Sequence, residues 1–340
     1  MKRLLVTGAA GFIGSNLVRY ELAEHPEAEI TILDKLTYAG RRETIADLLA
    51  DRRVSFVEGD IADAALLDRV VPGHDAVLNV AAESHVDRSI MGPEAFVRTN
   101  VVGAFRLLEA ARAHKVGRFL QVSTDEVYGS VASGTTDERA PLDPRNPYAA
   151  TKAGAELLAR SYFTTYGLPV LVTRGANNYG PFQFPEKAIP VFATNAIDDE
   201  PIPLYGDGTQ ERHWLHVADH CAGIDAVLRR GTPGDIYNVG TDQHRRNVDV
   251  AEAVLAALGK PRSLIRHVSD RPGHDARYAL DSRKLRALGW APAVGFEAGL
   301  AETVRWYAEN EWWWRPIKSG AYAAYYQQNY AWRRTEPAAR

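Results

Sequence analysis

The sequence is short of several things. It holds one cysteine in 340 residues, Cys221, so it cannot form an internal disulfide and suits a reducing compartment. It lacks an excess of charge: 40 Lys and Arg against 43 Asp and Glu leave a formal −3. That balance excludes a strongly basic nucleic-acid surface and an acidic tail. No apolar run approaches the ~20 residues of a membrane span, and the first residues lead directly into a strand-like run rather than a secretory leader. A soluble, cytoplasmic protein is expected. Internal repeats and low-complexity tracts are also missing, and the length leaves room for one large domain or two moderate ones.

What is present starts with residues 2–14, KRLLVTGAAGFIG. Leu4-Leu5-Val6 is too short for a helix and is bounded at once by glycine, which is how a strand buried on both faces of a parallel sheet reads. Gly8, Gly11 and Gly14 recur at every third residue, and an apolar-periodic segment follows through Leu17, Val18 and Leu22. Strand, glycine turn and helix in that order make a dinucleotide-phosphate site. Gly8 permits the tight turn, Gly11 lets a pyrophosphate approach the backbone, and Gly14 lets helix pack on strand. The helix N-terminus then offers free N–H groups to the phosphates. A second strand, 29–33, ends in Asp34, about 20 residues beyond Gly14, where a carboxylate binds a ribose 2′-hydroxyl and repels a 2′-phosphate. NAD is therefore favoured over NADP, although Arg41 and Arg42 stand close downstream.

The pattern then repeats. Further strands are expected at 54–57, 76–81, 118–123 and 170–173, with helices at 64–71, 93–114 and 148–166. Strands alternating with helices imply an α/β fold, a doubly wound parallel Rossmann sheet over residues 1–180. Such sheets bind ligands beyond the carboxyl ends of their strands, where Asp60, Ala81 to His85 and Ser123 to Tyr128 fall. After Gly180 the rhythm breaks, because Pro181, Pro185, Pro190, Pro201 and Pro203 forbid one long helix. Residues 181–340 are expected to form a smaller, less regular substrate domain, with helices near 218–229 and 248–258 and a strand at 236–239 that is a candidate to rejoin the main sheet.

Tyr148 and Lys152 stand four apart, so on a helix both project from one face. A free phenol titrates near pH 10, and a neighbouring ammonium is expected to lower that value until the phenolate can deprotonate an alcohol. Asp125 and Glu126 form a second pair at a strand end. Two adjacent carboxyls facing a crevice are costly unless one stays protonated, which would divide them into an acid and a base. A solvated acidic turn is the plainer alternative.

With Thr7-Gly8-x-x-Gly11-x-x-Gly14, Ser123-Thr124 at a strand end and Tyr148-x-x-x-Lys152, the sequence resembles the extended short-chain dehydrogenase/reductases. Asp34 to Gly40, Ala81 to Ser89, Ser123 to Gly129, Asn177 to Pro181, Pro185 to Lys187 and Asp270 to Asp275 narrow the resemblance to the dTDP-glucose 4,6-dehydratases within that family. These segments run almost the length of the chain. The resemblance implies dehydration of dTDP-glucose to its 4-keto-6-deoxy form, by hydride transfer to and from tightly bound NAD. Tyr148 would take the 4-hydroxyl proton, Glu126 the C5 proton, and Asp125 would protonate the leaving 6-hydroxyl. Thr124 would sit near O4 and Lys152 would hold the nicotinamide ribose.

For NAD the family pattern carries over to Gly8, Gly11, Phe12, Ile13, Gly14, Asp34, Lys35, Leu36, Thr37, Asp60, Ile61, Ala81, Ala82, Ser84, Thr99 and Asn178, with Tyr148 and Lys152. For the nucleotide-diphosphate sugar it carries over to Ser84, Thr124, Asn177, Lys187, Pro203, Leu204, Tyr205, Arg212, Asn247, Arg271 and His274. Arg212 and Arg271 suit a diphosphate, which guanidinium groups grip bidentately. A homodimer paired through helices 93–114 and 148–166 is also implied, although both helices would serve equally to cover the sheet.

The chain departs from the family at Arg212-His213-Trp214 and His216, where Arg-Asp-Trp and Tyr are usual. His213, His216 and His220 lack a convincing carboxylate to complete a metal set. No metal is expected, and positions near the diphosphate or on the surface are. The aromatic tail (Trp312-Trp313-Trp314, Tyr322, Tyr325, Tyr326, Tyr330, Trp332) is read as packing rather than as a site. The rivals are a nucleotide-sugar 4-epimerase or decarboxylase on the same scaffold, the same dehydration acting on UDP-glucose, and a non-catalytic NAD sensor.

Overall fold

The structure, a computed structural model, describes residues 1–331. Its strands are β1 (Arg3–Thr7), β2 (Glu29–Asp34), β3 (Val54–Glu58), β4 (Ala76–Asn79), β5 (Arg118–Thr124), β6 (Val170–Gly175), β7 (Asn177–Tyr179), β8 (Ile202–Tyr205), β9 (Glu211–His216), β10 (Ile236–Val239), β11 (His244–Arg246) and β12 (Ile265–Val268). Seven of them form one sheet in the order β10-β6-β5-β4-β1-β2-β3, with every pairing parallel. The order reverses between β1 and β4, and a doubly wound sheet opens its ligand crevice at that switch point.

Side-chain alternation explains why the sheet needs cover on both faces. Leu4 and Val6 of β1 point into one core with Leu17, Ile32, Leu120 and Ile224, while Leu5 points into another with Val77, Leu107, Phe119 and Val172. Each such side chain, taken fully out of water, contributes about 1.5–3 kcal/mol. Strand β10, from beyond the proline-rich stretch, closes the edge next to β6. A third core belongs to the later residues and gathers Phe192, Leu204, Trp214, Val254, Tyr307, Trp313 and Trp314. It is framed by two small sheets, β11-β9-β7 and β12-β8.

The helix Pro147–Tyr166 has both ends written in the sequence. Asn146 caps it by accepting from the Ala149 N–H, Pro147 occupies the first turn, and Gly167 ends it in the left-handed region at φ 70°, as proline and glycine asymmetry dictates. The expected helix over 93–114 is not uniform. Glu94–Phe96 and Ala104–Ala113 are α-helical, but Val97–Gly103 between them is a π-helix. The wider turn serves Asn100, whose Oδ1 accepts from Glu83 N at 2.9 Å and whose Nδ2 donates to Glu83 O and Thr151 Oγ1. Strand β4 also stops two residues early, at Asn79. There Thr7 Oγ1 donates to Asn79 Oδ1 and accepts from Ala81 N, which turns the chain out of the sheet.

Among the described residues no helix is long and apolar enough to cross a membrane.

Candidate active site

The carboxyl ends of β1, β2, β4, β5 and β6 enclose a cavity of about 270 Å³. At its floor is the glycine turn. Gly8 sits at φ 70°, and a Cβ there would lie 2.5 Å from the Ala81 backbone. A Cβ on Gly14 would lie 2.5 Å from Gly8 O, so helix and strand touch there through bare backbone. Gly11 is the N-cap of the helix Phe12–Glu24, and no side chain caps that helix. Its first-turn N–H groups therefore face the cavity without intrahelical partners, as an anionic phosphate requires. Asp34, at the end of β2, has its carboxylate against Ala10 N at 2.9 Å and Leu36 N at 2.8 Å. Burial raises its pKa, and these two N–H bonds oppose the rise. The residues present fit a dinucleotide with a free ribose 2′-hydroxyl.

Gly8, Gly11, Phe12, Ile13, Gly14, Asp34, Lys35, Thr37, Asp60, Ile61, Ala81, Ala82, Ser84, Thr99, Tyr148, Lys152 and Asn178 all line this cavity. Leu36 does not. It takes a left-handed φ of 53° and contributes its N–H to Asp34 instead. Glu83, Ser123 and Glu186, which fall in segments the sequence pointed to but were not named as site residues, also line the cavity, as do Gln183 and His220.

Thr124, Asp125 and Glu126 stand at the end of β5, where Thr124 Oγ1 starts the short helix Asp125–Tyr128 by accepting from Glu126 N. Asp125 is only 3 % exposed, so it is no solvated turn. Its Oδ1 accepts from Thr124 Oγ1 at 3.2 Å, while its Oδ2 is buried with no partner. Burial first, and the Glu126 charge second, push its pKa up to about 8 against the pull of Arg212. At neutral pH Asp125 is a protonated acid beside Glu126, whose Oε2 accepts from Asn146 Nδ2 at 3.2 Å.

Tyr148 lines the same cavity, close to the Thr124 side chain. Here the structure corrects one expectation. Burial, then the charge of Glu126, holds the phenol well above its usual value, and Lys152 does not lower it. The Lys152 ammonium donates to Val122 O at 2.6 Å, and burial pushes its own pKa down to about 8. Four-residue spacing put both groups on one face but did not pair them.

A second cavity, of about 150 Å³, opens alongside. Asn177, Glu126, Glu186 and Lys187 line both spaces, so the two join at Glu126, while Asp125 lines the first alone. Pro203, Leu204, Tyr205, Arg212, Asn247, Arg271 and His274 line the second, while Ser84 and Thr124 line the first. Arg212 is held by Asp275 O at 2.8 Å and stacks 4.3 Å from the Tyr278 ring. Lys187 donates to Ser84 O at 2.7 Å. With Arg271, three cations surround one end of the space, a setting for a diphosphate. Asp87, which sequence reasoning did not name as a site residue, binds Tyr205 OH at 2.6 Å and faces Arg271 Nη1 at 3.5 Å.

Two further readings need correcting. The aromatic tail does pack, with Trp313 and Trp314 buried in the third core, but Tyr330 lines the second cavity as well. Trp332 lies outside the described residues. The histidines are not at the surface: His213, His216 and His220 are 1 %, 6 % and 1 % exposed. His213 meets the His244 ring at 3.9 Å, and burial pushes its pKa down to about 3.

The sequence matches the family model described as GDP-mannose 4,6 dehydratase over residues 5–303. A dTDP-glucose 4,6-dehydratase of Streptomyces niveus is 51 % identical over 322 residues, covering 93 % of this chain and 96 % of its own. The solved dTDP-glucose 4,6-dehydratase DesIV of Streptomyces venezuelae, crystallised with NAD, superposes with a TM-score of 0.91 at 53 % identity, covering 93 % of this chain and all of that one. A Thermus thermophilus UDP-glucose 4-epimerase in complex with NAD gives 0.84 at 33 % identity, covering 91 % of this chain and 99 % of that one. The fold agrees with these likenesses, and the chain belongs to the GDP-mannose 4,6 dehydratase family, on its dTDP-glucose 4,6-dehydratase branch.

Proposed function

We propose that this chain dehydrates dTDP-glucose to dTDP-4-keto-6-deoxyglucose and holds NAD in the larger cavity. The observation that carries the reading is the Asp125 carboxyl, buried in the first cavity and held toward its protonated form, beside Glu126, which lines both cavities. An epimerase has no use for an acid there. Gly8, Gly11 and Gly14 would cradle the pyrophosphate, Asp34 a ribose, and Lys152 the nicotinamide ribose. Bound there, NAD would supply the reversible hydride chemistry that oxidation at C4 and reduction at C6 require.

The chain's own residues handle the protons. Tyr148 takes the proton of the sugar 4-hydroxyl, with Thr124 holding O4. Because burial keeps its phenol high, Tyr148 needs positive charge from a bound partner before it ionises. The resulting ketone acidifies C5–H, and Glu126 removes that proton. Asp125 gives its own proton to the 6-hydroxyl, the C6–O bond breaks, and water leaves. Glu126 then returns a proton to C5, Tyr148 gives up to solvent the one it took, and Asp125 regains one from solvent. Arg212, Arg271 and Lys187 would hold the diphosphate, with Ser84, Asn177, Asn247, His274 and the 203–205 segment completing the pocket. A division near residue 180 into a cofactor-binding and a sugar-binding domain belongs to the same reading, with residues from both sides of it lining each cavity. We place the protein in the cytoplasm as a homodimer, paired through the two long helices, where Val97, Leu157 and Tyr166 are exposed.

Mass spectrometry tests the reading with dTDP-glucose and UDP-glucose side by side. Loss of one water supports it, an altered sugar of unchanged mass means epimerase, and no turnover means sensor. The two substrates differ by a methyl on the base and a hydroxyl on the ribose, and an apolar pocket discriminates a methyl by only ~1–3 kcal/mol, so their relative turnover reports the nucleotide preference.

A further inference from the structure

The side-chain amide of Asn146 touches two parts of the machinery at once. Its Oδ1 accepts from Ala149 N at 2.9 Å and closes the N-terminus of the helix that carries Tyr148 and Lys152. Its Nδ2 donates to Glu126 Oε2 at 3.2 Å. The residue is 7 % exposed, so water competes little for either bond. Capping needs only the acceptor, and serine or aspartate caps a helix about as well as asparagine. The donor half contributes nothing to the cap.

What the donor does is act on the carboxylate. An N–H given to a carboxylate favours its charged, proton-accepting form, and it fixes where Oε2 lies and so how the other oxygen is presented. The charged and titratable groups that face Glu126 are Asp125 on its own turn, Tyr148, Lys187, Arg212, Arg271 and Tyr278. Of these, Lys187, Arg212 and Arg271 lie where the diphosphate is placed, so their charge is shared once a nucleotide sugar is bound. Asn146 is neutral and stays with Glu126 whether or not the site is filled.

We propose that Asn146 is a positioning residue for the dehydration: its amide donor holds the Glu126 carboxylate aimed at C5 while its oxygen caps the helix that bears Tyr148. The role rests on Glu126 being the base of the proposed function. It also couples the two proton-transfer residues mechanically, because one side chain sets both the start of the Tyr148 helix and the pose of the Glu126 carboxylate.

The test compares Asn146→Ser and Asn146→Asp with the parental protein, full length and loaded with NAD. Both variants keep the capping acceptor, so melting temperatures should stay near the parental value. Serine removes the amide donor, and aspartate sets a like charge against Glu126. The acid limb of the kcat profile should move to higher pH in the order parent, Ser, Asp, by about one pH unit for Asp. Turnover on that limb then falls about tenfold, with KM little changed. A residue that only caps would leave the limb where it is. If the parent dehydrates dTDP-glucose and the limb stays unmoved in both variants, the proposal is overturned alone. A parent that yields no dehydrated product overturns the functional reading and this proposal with it. Should Asn146→Asp fold poorly, the neutral and smaller Asn146→Ser variant decides by the same shift.

Discussion

Asp125→Asn should make a protein that is more stable at neutral pH and nearly inactive. The folded carboxyl titrates at about 8 against an ordinary 3.8. Between those values the folded chain holds a proton that the unfolded chain has released, so stability falls as pH rises through the window and levels off above it. At pH 7 folding must therefore load a proton about three pH units above the unfolded value. At about 1.4 kcal/mol per unit this costs about 4 kcal/mol. Asparagine removes that term. Its oxygen keeps the bond from Thr124 Oγ1, but its NH₂ takes the place of the partnerless Oδ2, and a buried unmet donor costs ~1–3 kcal/mol. The net gain near pH 7 is thus about 1–3 kcal/mol, and it vanishes or reverses near pH 4.

The assay is thermal or urea unfolding of both proteins in steps from about pH 4 to about pH 8. The stability gap should widen across the range. Turnover by the same variant should fall about 10²- to 10⁴-fold, the usual contribution of a positioned acid, while parental activity declines as pH rises past about 8. A gap of constant size would mean that the fold does not hold Asp125 protonated. A variant that dehydrates at the parental rate would remove Asp125 from the chemistry.

Tyr148→Phe should lower turnover by about 10²- to 10⁴-fold and leave nucleotide-sugar binding, measured by calorimetry, close to parental. Gly14→Ala places a Cβ 2.5 Å from Gly8 O and 2.6 Å from Ala9 Cα. Backbone on both sides cannot give way cheaply, so the purified variant should retain less NAD, read from the nucleotide released on denaturation. Arg271→Ala removes a cation from the second cavity; the loss of a charge-assisted bond of ~1.5–3 kcal/mol should raise KM for dTDP-glucose about 10- to 100-fold, with a smaller effect on kcat.

Much of the fold was legible because a both-face-buried parallel strand shows as an apolar run whatever surrounds it. Strands β1, β2, β4, β5, β6 and β10 are of that kind, while β3, the half-exposed edge strand, shows only through Val54, Phe56 and Val57. Strands β7, β8, β9, β11 and β12 were missed for the converse reason. Ile202–Tyr205 contains Pro203, and Glu211–His216 reads ERHWLH, with buried histidines where an apolar alternation would be. These strands are defined by the partners they meet. The π-turn at Val97–Gly103 was invisible for a similar reason, since nothing in its residues foretells that Asn100 must reach Glu83.

The site divides along the same line. The glycine turn and Asp34 lie within one βαβ unit, so spacing along the chain was enough to assemble them. The protonation of Asp125 depends on burial beneath elements far away in sequence and on Arg212, and Tyr330 arrives from a helix more than 200 residues downstream of Glu126. Tyr148 and Lys152 show the limit most sharply. Four residues on a helix fix a shared face, and that was read correctly, but a face does not choose a partner. Lys152 goes to Val122 O because β5 runs beneath the helix with a carbonyl in reach. Tyr148, lacking that cation, faces the two carboxyls instead. Positive charge near the phenol would ease the release of its proton, and spacing along one helix does not by itself place that charge there.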